Sequence, residues 1–182
     1  MKQWPRVALI AASVLYPLLW YAGRERGIFP LLASAMLVLW LVRACLVRSR
    51  GERTVALIMA AFFVLALVLQ QPASLYWYPV GVNLLMFILF FTSLHAEQSI
   101  VERMARLQQP DLPARAVAYT RRVTQIWCAF FVVNGSIAAL LALLGAHRAW
   151  AIYTGLIAYI LMAALFAGEY LYRRRIMVEE NH

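Results

Sequence analysis

Six apolar blocks, separated by short polar breaks, run the length of this chain. They fall at residues 7–22, 28–47, 54–69, 75–95, 123–144 and 149–172. A membrane-crossing helix needs about 20 predominantly apolar residues, with a range of about 17–25. Four blocks meet that length. The first and third hold 16 residues each, and flanking arginines that snorkel to the interface extend them. The pattern predicts an all-α polytopic membrane protein: one integral membrane domain over residues 1–182, built as a bundle of six transmembrane helices. The competing count is four spans with two re-entrant segments. The first three blocks and the last three share no motif, so an inverted repeat gains no support.

One break is longer than the rest, and it predicts an amphipathic loop over residues 96–122. Ser99-Ile-Val-Glu102 has the form of a capping box, in which the Ser oxygen takes the Glu102 amide and Glu102 reaches back. The short helix that follows is expected to carry Ile100, Val101, Met104 and Leu107 on one side. Glu102, Arg103 and Arg106 then turn towards the other side, as in a helix lying on a membrane surface. Gln108-Gln-Pro-Asp-Leu-Pro113 breaks it. Asp111 is expected to cap a second helix with Pro113 in its first turn. From there no breaker intervenes through the fifth block, so one helix over 113–144 would be about 48 Å long at 1.5 Å per residue.

Charge gives the orientation. With the N-terminus inside, the inner segments hold Lys2, Arg6, Arg43, Arg48, Arg50, Arg53, Arg103, Arg106, Arg115, Arg121, Arg122, Arg173, Arg174 and Arg175. The outer breaks hold only Arg24, Arg26 and Arg148. That asymmetry predicts cytoplasmic N- and C-termini, with the 96–122 loop cytoplasmic. Trp20, Tyr21, Tyr76, Trp77, Tyr78 and Trp150 fall at predicted outer ends, as an interfacial aromatic belt would. Lys2 and Arg6 ahead of the first block look like the start of a signal peptide. Leu19-Trp20-Tyr21-Ala22 offers no small-residue cleavage site, so an uncleaved first helix is expected.

Composition changes this picture little. The chain is 64% hydrophobic and 14% charged, against roughly 45–50% and about 25% for soluble domains. Its net charge of +9 lies beside apolar blocks and forms no groove-reading element. Membrane lipids with anionic headgroups are the expected partners, and nucleic acid is not.

Candidate chemistry is thin. Cys45 and Cys128 lie in apolar segments without metal spacing and read as small apolar side chains. His95, His147 and His182 are scattered, and His95 and Glu97, two residues apart, cannot share a helix face. No metal, cofactor or catalytic set is expected, and no base accompanies Ser136 for hydrolase chemistry. Glu169 near the inner end of the sixth block is a carboxylate at membrane depth, a functional candidate by default. The plainer reading pairs it with Arg173 or an inner-loop arginine. Asn83 and Asn134 lie inside the fourth and fifth blocks. Gly135 and Ser136 beside Asn134 would permit close helix approach, so they read as an interhelical hydrogen bond or as cavity lining. Arg115, Tyr119, Arg121 and Arg122, with Arg103 and Arg106, make a basic inner surface. It serves topology and lipid anchoring, or binds a phosphorylated or acyl-phosphopantetheine partner.

The stretches Ser99-Ile-Val-Glu-Arg-Met-Ala-Arg-Leu107, Pro110-Asp-Leu-Pro113 and Tyr119-Thr-Arg-Arg-Val-Thr124 continue into Trp127-Cys-Ala-Phe-Phe131 and Asn134-Gly135. With Tyr153-Thr-Gly-Leu-Ile-Ala-Tyr159 and Phe166-Ala-Gly-Glu-Tyr170 they resemble a family of small bacterial inner-membrane proteins. That family is found with type II fatty-acid-like gene sets, including those for aryl polyene pigments of the xanthomonadin kind. The resemblance covers about residues 75–175. Some members carry a ketosynthase label, and no Cys/His/His catalytic set occurs here. The resemblance implies a pathway context. The expected function is an accessory membrane protein that helps assemble or hand over an acyl or aryl polyene lipid. An acyl carrier protein or another pathway protein would be its partner. The candidate binding residues are Glu102, Arg103, Arg106, Asp111, Arg121 and Arg122 in the loop, with Asn134 and Glu169 in the membrane. The alternatives are a flippase-like exporter, which would line a deep cavity with Asn83, Asn134 and Glu169, and a membrane-embedded transferase.

Overall fold

The computed structural model describes residues 15–47, 50–107 and 109–179, the last nine of these as helix backbone. Every regular element among them is helical. The order is α1 (15–23), α2 (Phe29–Leu46), α3 (Arg50–Leu69), α4 (Tyr78–Ser93), α5 (Ile100–Arg106), α6 (Ala114–Leu143), α7 (His147–Ile152) and α8 (Ala158–Glu179). Five stretches are long and apolar enough to cross a membrane: Phe29–Leu46, Arg50–Leu69, Pro72–Ser93, Ala114–Leu143 and His147–Tyr170. Their outward faces carry Leu31, Val38, Val68, Leu84, Val133, Leu143 and Ile160, all exposed. An apolar surface of that extent has no place in water. The chain has the architecture of a multi-pass membrane protein. Residues 7–14 of the first expected span lie outside the described residues.

The element ends refine the expectation. The third span is a full 20 residues because the helix already starts at Arg50. Its polar first turn is held by Arg53 Nη2 donating to the Val47 carbonyl (3.3 Å) and by an Arg43–Glu52 ion pair (3.9 Å). Gln70, in the left-handed region at φ 51°, ends α3. Pro72–Trp77 then forms a 3-10 turn, in which Pro72 gives up no needed N–H. α6 has 30 residues, about 45 Å at 1.5 Å per residue. It stops at Gly145, whose φ of 63° suits a residue without Cβ. A π-helical turn, Tyr153–Ile157, joins α7 to α8.

The chain divides into two compact units. One takes the described residues up to Tyr78 together with Leu140–Tyr159. Here α2 and α3 pack along each other. Their buried residues are Phe29, Ala33, Met36, Trp40 and Ala44 against Val55, Ala56, Met59, Ala60, Phe63 and Ala66. That three-and-four spacing is one helix face, and its alanines let the backbones approach. Tyr16 is fully buried beside Phe63 and Tyr78, and its hydroxyl donates to the Leu75 carbonyl at 2.8 Å.

The other unit takes Pro79–Ala139 and the described residues from Ile160. Val123, Trp127 and Phe131 of α6 form its core, packed by Phe87, Phe90, Met162 and Leu165. The Trp127 and Phe166 rings lie 4.6 Å apart. Val101 of α5 packs on the same cluster, so the short helix is tied to the core.

Candidate functional site

Three sets of polar residues stand out. The first is the loop between α4 and α6. Ser93 Oγ donates to the Phe90 carbonyl (2.7 Å) and accepts from the Ile100 amide (3.0 Å). Ser99 Oγ accepts the Glu102 amide at 3.3 Å, the expected half of the capping box. The other half differs. Among the described residues, the Glu102 carboxylate turns to Arg106, one helical turn on, with Nε and Nη2 at 2.9 and 2.8 Å from the same oxygen. The remaining Nη1 of Arg106 donates to the Pro110 carbonyl at 2.9 Å.

Glu102 is therefore buried, with 4% exposure, where the sequence pattern placed it on the polar face. The expected apolar side is divided. Val101 packs inward, while Met104 and Leu107 are exposed at 62% and 87%. The cause is tertiary. Val101 must face the Trp127 cluster, and that rotation carries Glu102 inward and Met104 outward.

Arg121 Nη2 donates to the Leu94 carbonyl at 2.8 Å, closing the C-terminal end of α4 with a cation. Asp111 is exposed in the bend before α6. The first α6 amides, Ala116 and Val117, bond to the Pro113 carbonyl instead. Among the described residues no bond from the Asp111 side chain caps the helix, a second correction. Arg103 Nε donates to the Gln98 carbonyl at 3.1 Å and is exposed, as are Arg115 and Arg122.

The second set lies within the long apolar helices. Asn134 Nδ2 donates to Asn83 Oδ1 at 3.0 Å, and Asn83 Nδ2 donates to the Pro79 carbonyl at 2.8 Å. A Cβ on Gly135 would sit 3.0 Å from Asn83 Cβ, so glycine permits this approach of α4 and α6. Both amides are buried. Glu169 is half-buried on α8, and its carbonyl accepts from the Tyr119 hydroxyl at 3.4 Å. The expected Glu169–Arg173 pairing falls outside the described side chains.

The third set was not singled out as a site from sequence. A cavity of about 370 Å³ is lined by Trp20, Arg24, Glu25, Tyr76, Trp77 and His147, with Pro72, Ala73 and Ala142. Tyr76 stacks on His147 with centroids 4.5 Å apart, and Trp20 and Trp150 meet the Tyr76 ring edge-on at 5.7 and 4.8 Å. Arg24 sits 4.5 Å over the Tyr21 ring and 3.6 Å from the exposed Glu25 carboxylate. Partial desolvation works against the Arg24 charge, but Tyr76, Tyr21 and Glu25 outweigh it and hold its pKa above the ordinary value. The sequence signal was the expected outer aromatic belt plus three polar side chains of the expected outer breaks, Arg24, Glu25 and His147. Among the described residues no three His, Cys, Asp or Glu side chains are placed to hold a metal ion.

No family model, curated protein sequence or solved structure matches this chain.

Proposed function

We propose that the chain is a six-span protein of the bacterial inner membrane with both termini cytoplasmic. It acts as an accessory in the assembly or hand-over of an acyl or aryl polyene lipid, with the loop over residues 96–122 as a cytoplasmic docking surface. The resemblance of residues 75–175 to inner-membrane proteins of such pathways supplies the lipid class. The 14-to-3 bias of Lys and Arg supplies the orientation.

The observation that carries the docking role is the pre-organised loop. Ser93, Ser99, Glu102, Arg106 and Arg121 are spent on holding its shape. Arg103, Arg115 and Arg122 are exposed, and so are the apolar Met104 and Leu107 of the same loop. A fixed cationic and apolar surface suits an acidic acyl carrier protein or anionic headgroups at low ordering cost. The docking set thus becomes Arg103 and Arg122 of the expected residues with Arg115 added, and Glu102, Arg106 and Arg121 are its supports. The Asn83–Asn134 bond favours this reading over export, because it commits both buried amides to joining α4 and α6.

The test is a chromosomal deletion complemented by wild type or by Arg103→Glu/Arg115→Glu/Arg122→Glu. Lipid and pigment extracts of separated inner and outer membranes are compared by mass spectrometry. The reading expects loss of the product, or build-up of carrier-bound acyl precursor, in both the deletion and the triple variant. Product made in full but stranded in the inner membrane would point to export, and unchanged extracts would refute the pathway.

A further inference from the structure

The cavity ringed by Trp20, Arg24, Tyr76 and His147 contains a mismatch between donors and acceptors. Trp20 Nε1, Arg24 Nη1 and His147 Nδ1 are buried atoms without a hydrogen-bond partner, and all three residues line the same cavity. Trp20 itself is only 2% exposed. An unpaired buried donor costs about 1–3 kcal/mol, more when it is charged. Three such donors around one space are expensive unless something there accepts from them. Indole N–H and guanidinium N–H only donate, and one imidazole tautomer places a third N–H at Nδ1. The carboxylate in the lining, Glu25, is 84% exposed and reaches Arg24 through Nη2, and Tyr76 also bonds the guanidinium, yet Nη1 keeps no partner.

We infer that this cavity binds an oxyanion, the phosphate or carboxylate head of an amphiphilic molecule. An oxyanion offers several lone pairs to converging N–H donors, and a charge-assisted bond to Arg24 is the strong kind. The volume of about 370 Å³ lies at the low end of small-molecule sites, about 300–1,000 Å³. It suits a headgroup better than a whole lipid. The other walls are Trp20, Tyr76, Trp77, Pro72 and Ala73, apolar and aromatic surface that suits the carbon skeleton joined to the anion. The lining comes from the end of α1 and the turn after it, the 3-10 turn before α4, the end of α6 and the start of α7. Charge bias assigns these helix ends and turns to the outer side. This site is independent of the inner-loop docking surface and would stand if that reading failed.

The test uses the full-length chain in an uncharged detergent, with tryptophan emission as the signal. Three probes are titrated: dihexanoyl phosphatidic acid, dihexanoyl phosphatidylcholine and inorganic phosphate. The inference expects saturable binding of the phosphatidic acid, weakened about tenfold or more by Arg24→Gln and less by Arg24→Lys, which keeps the charge. Unchanged melting temperatures would show that both variants fold. Inorganic phosphate binding as tightly would support the oxyanion site and assign it to a soluble anion. Absence of saturable binding by either anion would overturn the inference, leaving a hydrated cavity. Equal binding of phosphatidylcholine, or no effect of Arg24→Gln, would overturn it too.

Discussion

The Arg106 guanidinium holds the buried Glu102 carboxylate with two nitrogens, at 2.9 and 2.8 Å, and the Pro110 carbonyl with the third, at 2.9 Å. One side chain thereby fixes both α5 and the break that follows it. Removing one partner of a buried pair leaves the other charge unpaired, at about 3–5 kcal/mol. Arg106 is 31% exposed, so solvent screening reduces this to about 2 kcal/mol for Arg106→Ala. Thermal melts in detergent should show that loss. Glu102→Gln/Arg106→Met, which removes both charges, should recover most of it. A double variant as unstable as Arg106→Ala would contradict the buried-pair account.

Asn134 and Gly135 act together where α4 meets α6. Interhelical hydrogen bonds within membranes average about 0.6 kcal/mol and reach about 1.7, so Asn134→Ala should cost about 1 kcal/mol. Gly135→Leu should cost more, because its side chain begins 3.0 Å from Asn83 Cβ and neither helix backbone can yield cheaply. Steric trapping or denaturant titration in bicelles would measure both. A Gly135→Leu protein as stable as wild type would show that the approach is not tight.

Tyr16 ties α1 to the turn before α4 through the Leu75 carbonyl. Tyr16→Phe keeps the ring against Phe63 and Tyr78 and strands a buried carbonyl. The expected cost is about 1–2 kcal/mol, read as a lower melting temperature with no change in helix content. A melting temperature equal to wild type would place no stability in this bond.

Topology is open to a direct readout. On a Cys45→Ser/Cys128→Ala background, Ala73→Cys should react with a membrane-impermeant maleimide in intact spheroplasts. Gln98→Cys should react only after lysis. The reverse pattern would invert the orientation and move the basic loop outside.

Five of the expected spans were legible because each is a long block of apolar residues between short polar breaks, which depends only on local sequence. Helix α6 was legible from Pro113 onward for the same reason. The true start of α3 at Arg50 was hidden, since Arg50-Gly-Glu-Arg53 reads as loop until Arg43 and Val47 supply partners. Glu102 was misplaced for a different reason. A capping box and an i,i+4 Glu–Arg pair compete for one carboxylate, and contact of Val101 with the Trp127 cluster decides between them. The Trp20–Arg24–Tyr76–His147 cavity draws on connections far apart in the chain. Its components were visible as an outer belt, but their convergence follows only from packing.

The docking surface proposed for the 96–122 loop is read through Arg103, Arg115 and Arg122. Its most direct test is binding of purified acyl carrier protein to the full chain in nanodiscs of uncharged lipid, followed by biolayer interferometry at several salt concentrations. The account predicts saturable binding that weakens as salt rises and is abolished by Arg103→Glu/Arg115→Glu/Arg122→Glu, while the melting temperature holds. No binding at low salt, or binding indifferent to those three charges, would contradict it.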